Sequence, residues 1–250
     1  SASSGILSIA GNAQGTSLDG TAFSTSGSGS LRLDSGLFTL TNGQTATIAA
    51  GTLDLSGATL STAGSSAITG AGTFLLSSGT LDGAGTLTIA SGFDWTGGTM
   101  AGSGTTRLAT SASLSGNATR TLNRTLEIAA GHTLNLGDDV LIQRSTSNGG
   151  SGGIVALGTV SKSSGSGVAN IRYLDLRGNF TAGSGVLSIY GNTAGSSIAG
   201  AVFSSTGSAR VRADSGLLTL NSGESASIGS GLFELSGATL STSGNSAING

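Results

Sequence analysis

The residues best suited to acid–base chemistry are His132, the only histidine of the chain, and the carboxylates Asp138 and Asp139 that follow it. Two carboxyl groups a few ångströms apart can hydrolyse glycosidic bonds. Adjacent residues on one β-strand point to opposite faces, however, so we expect Asp138 and Asp139 not to converge. Lys162 is the only lysine, which removes a common base for β-elimination. We therefore interpret the cluster as a solvated bend that carries polar residues.

Serine nucleophiles are equally poorly supported. Parts of the pattern G-x-S-x-G occur at Gly27-Ser-Gly-Ser30 and Gly183-Ser-Gly185. Neither completes a nucleophile elbow, which also needs a strand-to-helix turn. The chain has no cysteine, so it can form neither disulfides nor thiolate zinc sites. We assign no catalytic, cofactor-binding or metal-ligating residue, expect no cofactor, and predict that the chain is not an enzyme.

Two apolar residues and two glycosylation motifs have simpler interpretations than a functional site. Trp95 and Met100 fall in apolar columns described below, so we interpret both as core packing. Asn117-Ala-Thr and Asn123-Arg-Thr have the glycosylation spacing, which arises by chance in a chain so rich in threonine.

Composition excludes several classes of protein. The 250 residues include 45 glycines and no proline, and only 9% are charged, against about a quarter charged in typical domains. Leu, Ile, Val and Phe recur throughout, which argues against disorder, and glycine does not occupy every third position as in collagen. The net charge of −2 predicts no nucleic-acid partner. The chain lacks a run of 18 apolar residues, so we expect no membrane insertion.

A long repeat organises the chain. Residues 1–70 align with residues 181–250 at a constant offset of 180, and 39 of the 70 positions are identical. The octapeptide Leu55–Thr62 returns unchanged at Leu235–Thr242. We therefore predict that residues 1–180 form one long repeat and residues 181–250 begin the next, within a single continuous solenoid.

A shorter repeat lies inside the long one. Brief apolar-alternating runs recur about every seven residues, separated by Gly, Ser, Asn and Ala, which favour tight bends. Grouping the runs in threes aligns three apolar columns whose successive members lie 19 to 22 residues apart: Leu40, Leu60, Leu81, Met100, Leu122; Ile48, Ile68, Ile89, Leu108, Ile128; and Leu53, Phe74, Trp95, Leu114, Leu134.

This arithmetic predicts an all-β fold. Three strands of three to five residues, each followed by a short bend, give a coil of about 20 residues that stacks at the sheet spacing of roughly 4.8 Å. The product is a three-faced parallel β-helix, one of the β-solenoids. A membrane β-barrel needs longer strands, and a β-sandwich predicts no register at this spacing.

The columns blur between residues 137 and 185. The Gly/Ser-rich stretches Ser145–Gly153 and Ser161–Gly167 predict two surface loops, and loops can also mark a functional face. Half of the ten basic residues fall nearby and predict a modest basic patch, offset by Asp138, Asp139 and Asp175. Those five are Arg120, Arg124, Arg144, Lys162 and Arg172.

Two elements resemble a known family. Gly70-Ala-Gly-Thr-Phe-Leu-Leu76 and Gly83-Ala-Gly-Thr-Leu-Thr-Ile89 resemble the G-A-G-T-L-x-L element of autotransporter-associated β-strand repeats. The stretch Phe93–Thr105 is similar to the phrase W-T-G-G-x-M-x-G-x-G-T of giant bacterial surface proteins. The whole chain resembles autotransporter passengers and filamentous-haemagglutinin-like exoproteins. The resemblance implies a right-handed parallel β-helix on the bacterial cell surface, and it carries over no catalytic residues.

These observations predict the structural or adhesive repeat region of a long extracellular bacterial surface filament or exoprotein. Ser1–Ile9 and Ser246–Ile248 have the pattern of interior strands, so we expect adjacent copies of the repeat as partners and self-association into fibres. The adhesive role adds host or neighbouring-cell surface glycans as expected partners. The alternatives are a β-helix polysaccharide-active enzyme, a carbohydrate-binding module, and an ice-binding solenoid. Ice binding needs regular Thr-x-Thr rows, whereas Thr45-Ala-Thr47 and Thr86-Leu-Thr88 stand beside coils with Ser or Ala.

Overall fold

The computed structural model describes residues 1–26, 29–145 and 152–250. Within these residues the chain is built from β-strands, with no α-helix. It forms two compact units, one of residues 1–112 and 120–126, the other of residues 113–119 and 127–250. An all-β solenoid was predicted, and the fold confirms it.

The strands are short throughout. In chain order the first fifteen are β1 (Ile6–Ala10), β2 (Thr16–Ser17), β3 (Ala22–Ser24), β4 (Ser30–Ser35), β5 (Leu37–Leu40), β6 (Thr45–Ala50), β7 (Thr52–Leu55), β8 (Thr59–Thr62), β9 (Ser65–Thr69), β10 (Thr73–Leu76), β11 (Thr80–Asp82), β12 (Thr86–Ile89), β13 (Gly92–Trp95), β14 (Thr99–Met100) and β15 (Thr105–Leu108). The others are β16 (Ala112–Leu114), β17 (Thr119–Leu122), β18 (Thr125–Ile128), β19 (Thr133–Leu136), β20 (Leu141–Gln143), β21 (Gly153–Lys162), β22 (Val168–Arg172), β23 (Asp175–Ala182), β24 (Val186–Tyr190), β25 (Ser196–Ser197), β26 (Ala201–Ser205), β27 (Arg210–Ser215), β28 (Leu217–Leu220), β29 (Ser225–Ser230), β30 (Phe233–Leu235), β31 (Thr239–Thr242) and β32 (Ala247–Asn249).

The first unit is a three-faced parallel solenoid. Every third strand pairs with the next in one sheet, so the three faces run β1-β4-β7-β10-β13, β2-β5-β8-β11-β14 and β3-β6-β9-β12-β15. Each coil therefore contributes one strand to each face. Side chains alternate along a strand, and in β7 and β10 the buried positions alternate with half-buried ones.

Like residues stack on like residues inside this unit. One column of aligned side chains reads Leu33, Leu55, Leu76, Trp95; another reads Phe38, Leu60, Leu81, Met100, Leu122; a third reads Ala46, Ile68, Ile89, Leu108. All of these side chains are buried. Burying a side chain of the Leu, Ile or Phe type contributes about 1.5–3 kcal/mol each.

The predicted columns are right in kind but wrong at several positions. Leu114 and Leu134, predicted to follow Trp95, lie on β16 and β19, which pair with each other and not with β13. Leu60 pairs with Phe38, not with Leu40, and Ile68 pairs with Ala46, not with Ile48. Trp95 is fully buried as expected, but it aligns with Leu76, while Phe93 occupies the place beside Phe74. The physical reason is that each strand has two inward positions two residues apart, and the sequence spacing does not distinguish between them.

The coil is slightly longer than the predicted 20 residues, at roughly 22. Successive partners lie 22 residues apart from Leu31 to Leu53, 21 from Leu53 to Phe74 and 19 from Phe74 to Phe93. The bends absorb the difference. At Gly83, where φ is +99°, a Cβ atom would lie 2.2 Å from the carbonyl oxygen of Thr62, so this corner requires glycine.

The second unit is also parallel, with faces β19-β21-β23-β26-β29-β32, β20-β22-β24-β27-β30 and β25-β28-β31. Residues 181–249 reproduce the local details of residues 1–69. The register shift after Ile9 recurs after Ile189, and the isolated bridge from Asn12 to Leu37 recurs from Asn192 to Leu217. The sequence repeat is thus also a repeat of strand positions and bulges.

Candidate functional site in residues 129–190

The second unit contains a stretch that departs from the three-strand coil, which we call the irregular segment: residues 129–190, of which 146–151 lie outside the described residues. Its central strand, β21, is ten residues long. Gly153–Ala156 of this strand pairs with Asp175–Gly178, and Thr159–Lys162 pairs with Asn179–Ala182. One bent strand therefore occupies the room that two strands and a corner take in a regular coil.

The bend of β21 lies at Leu157 and Gly158. Gly158 packs on the corner before β19, because an added Cβ would lie 2.1 Å from the His132 carbonyl oxygen and 2.5 Å from that of Ala129. The N–H of Thr159 donates to the same His132 oxygen at 3.0 Å. Leu157 is left 56% exposed. This local geometry explains why the apolar columns blur here.

The acid–base candidates lie in this segment but form no common site. His132 is half-buried at the corner, and its backbone makes the contacts just described. Asp138 and Asp139 stand in the turn between β19 and β20 and not on a strand, so strand alternation, the reason given for their divergence, is wrong. Asp139 adopts φ +63°, is exposed, and donates its N–H to the Val168 carbonyl oxygen at 2.8 Å.

Asp138 instead anchors a loop through Lys162. The Lys162 side chain is fully buried, and its Nζ lies 2.7 Å from Asp138 Oδ1. The same ammonium donates to the carbonyl oxygens of Ser164 and Gly165, while the N–H of Gly167 donates to Asp138 Oδ1 at 3.0 Å. The hydrogen bond from Lys162 holds the pKa of Asp138 below its ordinary value, and Gly167 adds to the effect.

These contacts define the two predicted loops. Lys162 still belongs to β21, so the second loop is Ser163–Gly167, shorter than the predicted Ser161–Gly167. The prediction for Ser145–Gly153 lies largely outside the described residues, and Gly153 already begins β21. Of the two partial G-x-S-x-G patterns, Gly27 and Ser28 also lie outside the described residues, whereas Ser184 sits in the turn before β24.

The predicted basic patch is wrong in large part. Arg120 and Arg124, in the first unit, are buried, with 0% and 1% of their surface exposed. Arg120 Nε donates to the Trp95 carbonyl oxygen, and burial lowers the pKa of Arg120. With Lys162 also buried, only Arg144 and Arg172 keep half-exposed side chains.

Arg124 ties several coils together. Its Nη2 donates to the Gly85 carbonyl oxygen at 2.8 Å and its Nη1 to that of Asp82 at 3.2 Å. It passes over Gly104, where an added Cβ would lie 2.5 Å from Nη2. Burial lowers the pKa of Arg124 to about 10, so the guanidinium remains charged at neutral pH, and its charge is met by backbone dipoles.

The remaining candidates take the following places. Trp95 and Met100 are fully buried core residues, as predicted. Asn123 is only 6% exposed, so its side chain is inaccessible to glycosylation in the folded chain, whereas Asn117 is exposed. The Thr-x-Thr pair Thr86 and Thr88 faces Ser65 and Ala67 in one neighbouring coil and Thr105 and Arg107 in the other.

One network of Ser, Arg and Asp side chains that both repeats contain was not predicted from the sequence; its serine is exposed at Ser8 and buried at Ser188. Ser8 and Arg32 both donate to Asp34, with Arg32 Nε 2.5 Å from Asp34 Oδ1. Ser188 and Arg212 contact Asp214 in the same way. The signal was present in the sequence, since Arg-x-Asp recurs at the offset of 180. The hydrogen bonds from Arg32 and Ser8 lower the pKa of Asp34, so the carboxylate accepts from both donors in its ionised form.

No group of three metal-ligating side chains occurs in the described part of the chain, and no helix among those residues is long and apolar enough to cross a membrane. Comparison with protein-family models, with curated proteins and with solved structures gives no match.

Proposed function

We propose that this chain is a structural and adhesive repeat region of a long extracellular bacterial surface filament or exoprotein. In this role the solenoid supplies reach, and successive copies of the 180-residue repeat supply multivalent contact. The resemblance of Gly70–Leu76 and Gly83–Ile89 to autotransporter-associated repeats supports the surface location.

One observation carries the proposal: the long repeat preserves fold details that a core alone does not require. A solenoid core needs apolar residues at inward positions, yet the two copies also share register shifts, isolated bridges and the polar network of Ser, Asp and Arg. A repeat that is conserved outside its core as well as inside it presents any contact surface that it carries once per copy.

Location on the cell surface can be tested with antibodies raised against residues 181–250, applied to intact cells that produce the protein. We expect labelling without permeabilisation, at a level unchanged by it, with a cytoplasmic enzyme as the negative control. Labelling that requires permeabilisation would refute the extracellular role. Adhesion is then measured by blocking attachment of the same cells with the purified chain.

Association with further copies is the second part of the proposal. Ile6 and Leu7 of the first coil are 60% and 42% exposed, and Leu232, Leu235 and Ile248 of the last coils are 53%, 49% and 39% exposed. Exposed strand edges with apolar residues are templates for strand addition. Positions 233–249 correspond to 53–69, and in the first unit β10, β11 and β12 cover those strands.

That correspondence gives a sharp experiment. Sedimentation velocity should show concentration-dependent association of the chain, and Ile248→Lys should shift it towards monomer by placing a charge on the exposed edge. Leu157→Lys, which adds the same charge to an exposed apolar residue inside the irregular segment, is the control and should change nothing. A chain that stays monomeric at all concentrations contradicts association.

A further inference from the structure

One outward column of the irregular segment differs in chemistry from the Ser- and Thr-rich surfaces elsewhere. On successive coils it consists of Gln143, Arg172, Tyr190 and Ser215, aligned residue by residue. Both tyrosines of the chain lie here, since Tyr173 follows Arg172 directly. Both are half-buried, so part of each side chain is accessible.

The guanidinium of Arg172 lies over the ring of Tyr190. Its Cζ lies 4.4 Å from the centroid of the Tyr190 ring, a distance at which the ring face attracts the guanidinium. Among the described residues no carboxylate is ion-paired with Arg172, and its Nε is buried without a hydrogen-bond partner. The nearby Arg210 and Arg212 are instead paired with Glu234 and Asp214. Arg172 is thus a pre-oriented cation without a counter-charge.

The backbone of the next residue, Tyr173, is also unusual. Tyr173 has φ +65°, and only one other non-glycine residue of the described chain, Asp139, has a positive φ. The N–H of Tyr173 donates to the Tyr190 carbonyl oxygen at 2.7 Å, which fixes the two tyrosines on adjacent coils. A corner that is usually given to glycine here carries an aromatic side chain, and such strain concentrates at ligand-binding sites.

We infer that this surface, defined by Arg172, Tyr173 and Tyr190, binds an acidic polysaccharide through one carboxylate or sulfate group per site. A planar guanidinium matches the geometry of an oxyanion, and the tyrosine rings offer an apolar face with a polar edge to a sugar ring. A nucleic acid would need several uncompensated cations for successive phosphates, and Arg210 and Arg212 are already neutralised. The inference goes beyond the proposed surface role and does not depend on where the protein resides.

The test is calorimetric titration at low ionic strength with oligogalacturonate, which carries only carboxylates, a carrageenan tetrasaccharide, which carries only sulfates, and neutral maltotriose. We expect binding of one or both acidic sugars and none of maltotriose, and the pattern shows whether the site accepts carboxylate, sulfate or both. Arg172→Gln should weaken binding at least about tenfold, the loss expected for one charge-assisted contact. Tyr190→Ala should weaken it several-fold, and it introduces the residue that the first repeat has at the equivalent position, Ala10.

The matched control is Arg177→Gln, which removes an exposed charge from β23, on a different face. It should leave affinity within about twofold. Equal losses in Arg172→Gln and Arg177→Gln would reveal general charge attraction and overturn the inference. Failure of the unaltered chain to bind either acidic sugar, or tighter binding of poly-uridylate or poly-glutamate than of both, would overturn it too. Far-UV circular dichroism and melting temperature establish that each variant is folded.

Discussion

Different interactions stabilise two regions of the molecule: the regular coils between Thr52 and Leu108, and the irregular segment of residues 129–190. In the regular coils aligned apolar side chains fill the interior and corners such as Gly83 are glycine. In the irregular segment a buried ammonium, Lys162, ties down a loop, and non-glycine residues take left-handed corners. The comparison indicates that the regular coils act as a scaffold. In the irregular segment, polar contacts hold the loop and corners beside the surface defined by Arg172, Tyr173 and Tyr190.

The largest effect should come from a core column of the regular coils. Trp95→Ala removes the bulkiest fully buried side chain and should lower the free energy of unfolding by about 3–5 kcal/mol, because the stacked column cannot collapse around the cavity. Urea unfolding followed by circular dichroism measures the loss. Leu157→Ala in the irregular segment should change the free energy of unfolding by less than about 0.5 kcal/mol. Comparable losses in the two variants would contradict the role of the apolar column in stabilising the regular coils.

A smaller loss is expected from the arginine that spans the regular coils. Arg124→Met keeps much of the volume but leaves the carbonyl oxygens of Asp82 and Gly85 without their donor, which should cost about 2–3 kcal/mol. The exposed Arg177→Met serves as the control and should cost less than about 0.5 kcal/mol. If the two substitutions were equivalent in urea unfolding, Arg124 would not stabilise the stack.

In the irregular segment the Lys162–Asp138 contact should make stability depend on pH. The folded pKa of Asp138 is depressed by Lys162, so its contribution is complete above the unfolded value of about 3.9 and is lost as pH falls through the folded value. Lys162→Met should lower the melting temperature by about 2–4 °C at neutral pH. The difference from the unaltered chain should narrow in acid, and a gap that persists there would contradict the ion pair as its cause.

The last comparison concerns corners with positive φ, where substitutions in the two regions should have opposite signs and the smallest effect is expected at Tyr173. Tyr173→Gly relieves a left-handed tyrosine and should change the free energy of unfolding by at most about 1 kcal/mol, towards greater stability. Gly83→Ala in the regular coils should destabilise, since its Cβ would meet the Thr62 carbonyl oxygen at 2.2 Å. Thermal melts of both variants decide the matter; a stabilising Gly83→Ala would contradict the account of the corners.

Sequence periodicity sufficed for the fold class and the three faces, because apolar residues at coil spacing must point inward somewhere. It did not fix the register of Leu40, Ile48 and Trp95, since the neighbouring inward position two residues away fits the same spacing. The burial of Arg120, Arg124 and Lys162 was out of reach for another reason. Their partners include backbone carbonyl oxygens, which every residue type carries, so the sequence does not reveal these contacts. Without them, charged side chains such as these are expected on the surface.

The length of β21 was unpredictable on similar grounds. Leu157-Gly158 looks like any short bend in the sequence, but the corner at His132 beneath it accepts a bulge, and the strand continues. The Arg172–Tyr190 surface depends on a register across coils of unequal length, 29 residues from Leu141 to Asn170 and 18 from Val168 to Val186. No fixed repeat length in the sequence could have aligned these residues.

The central claim, that regular coils support and the irregular segment makes contact, is tested most directly by nuclear magnetic resonance. Backbone amide shifts of the ¹⁵N-labelled chain are followed during titration with the acidic oligosaccharide that binds in calorimetry. The account predicts perturbations confined to residues around 170–175 and 188–192, with the amides of residues 52–108 unchanged. Perturbations centred on the regular coils, or spread evenly over both regions, would contradict it.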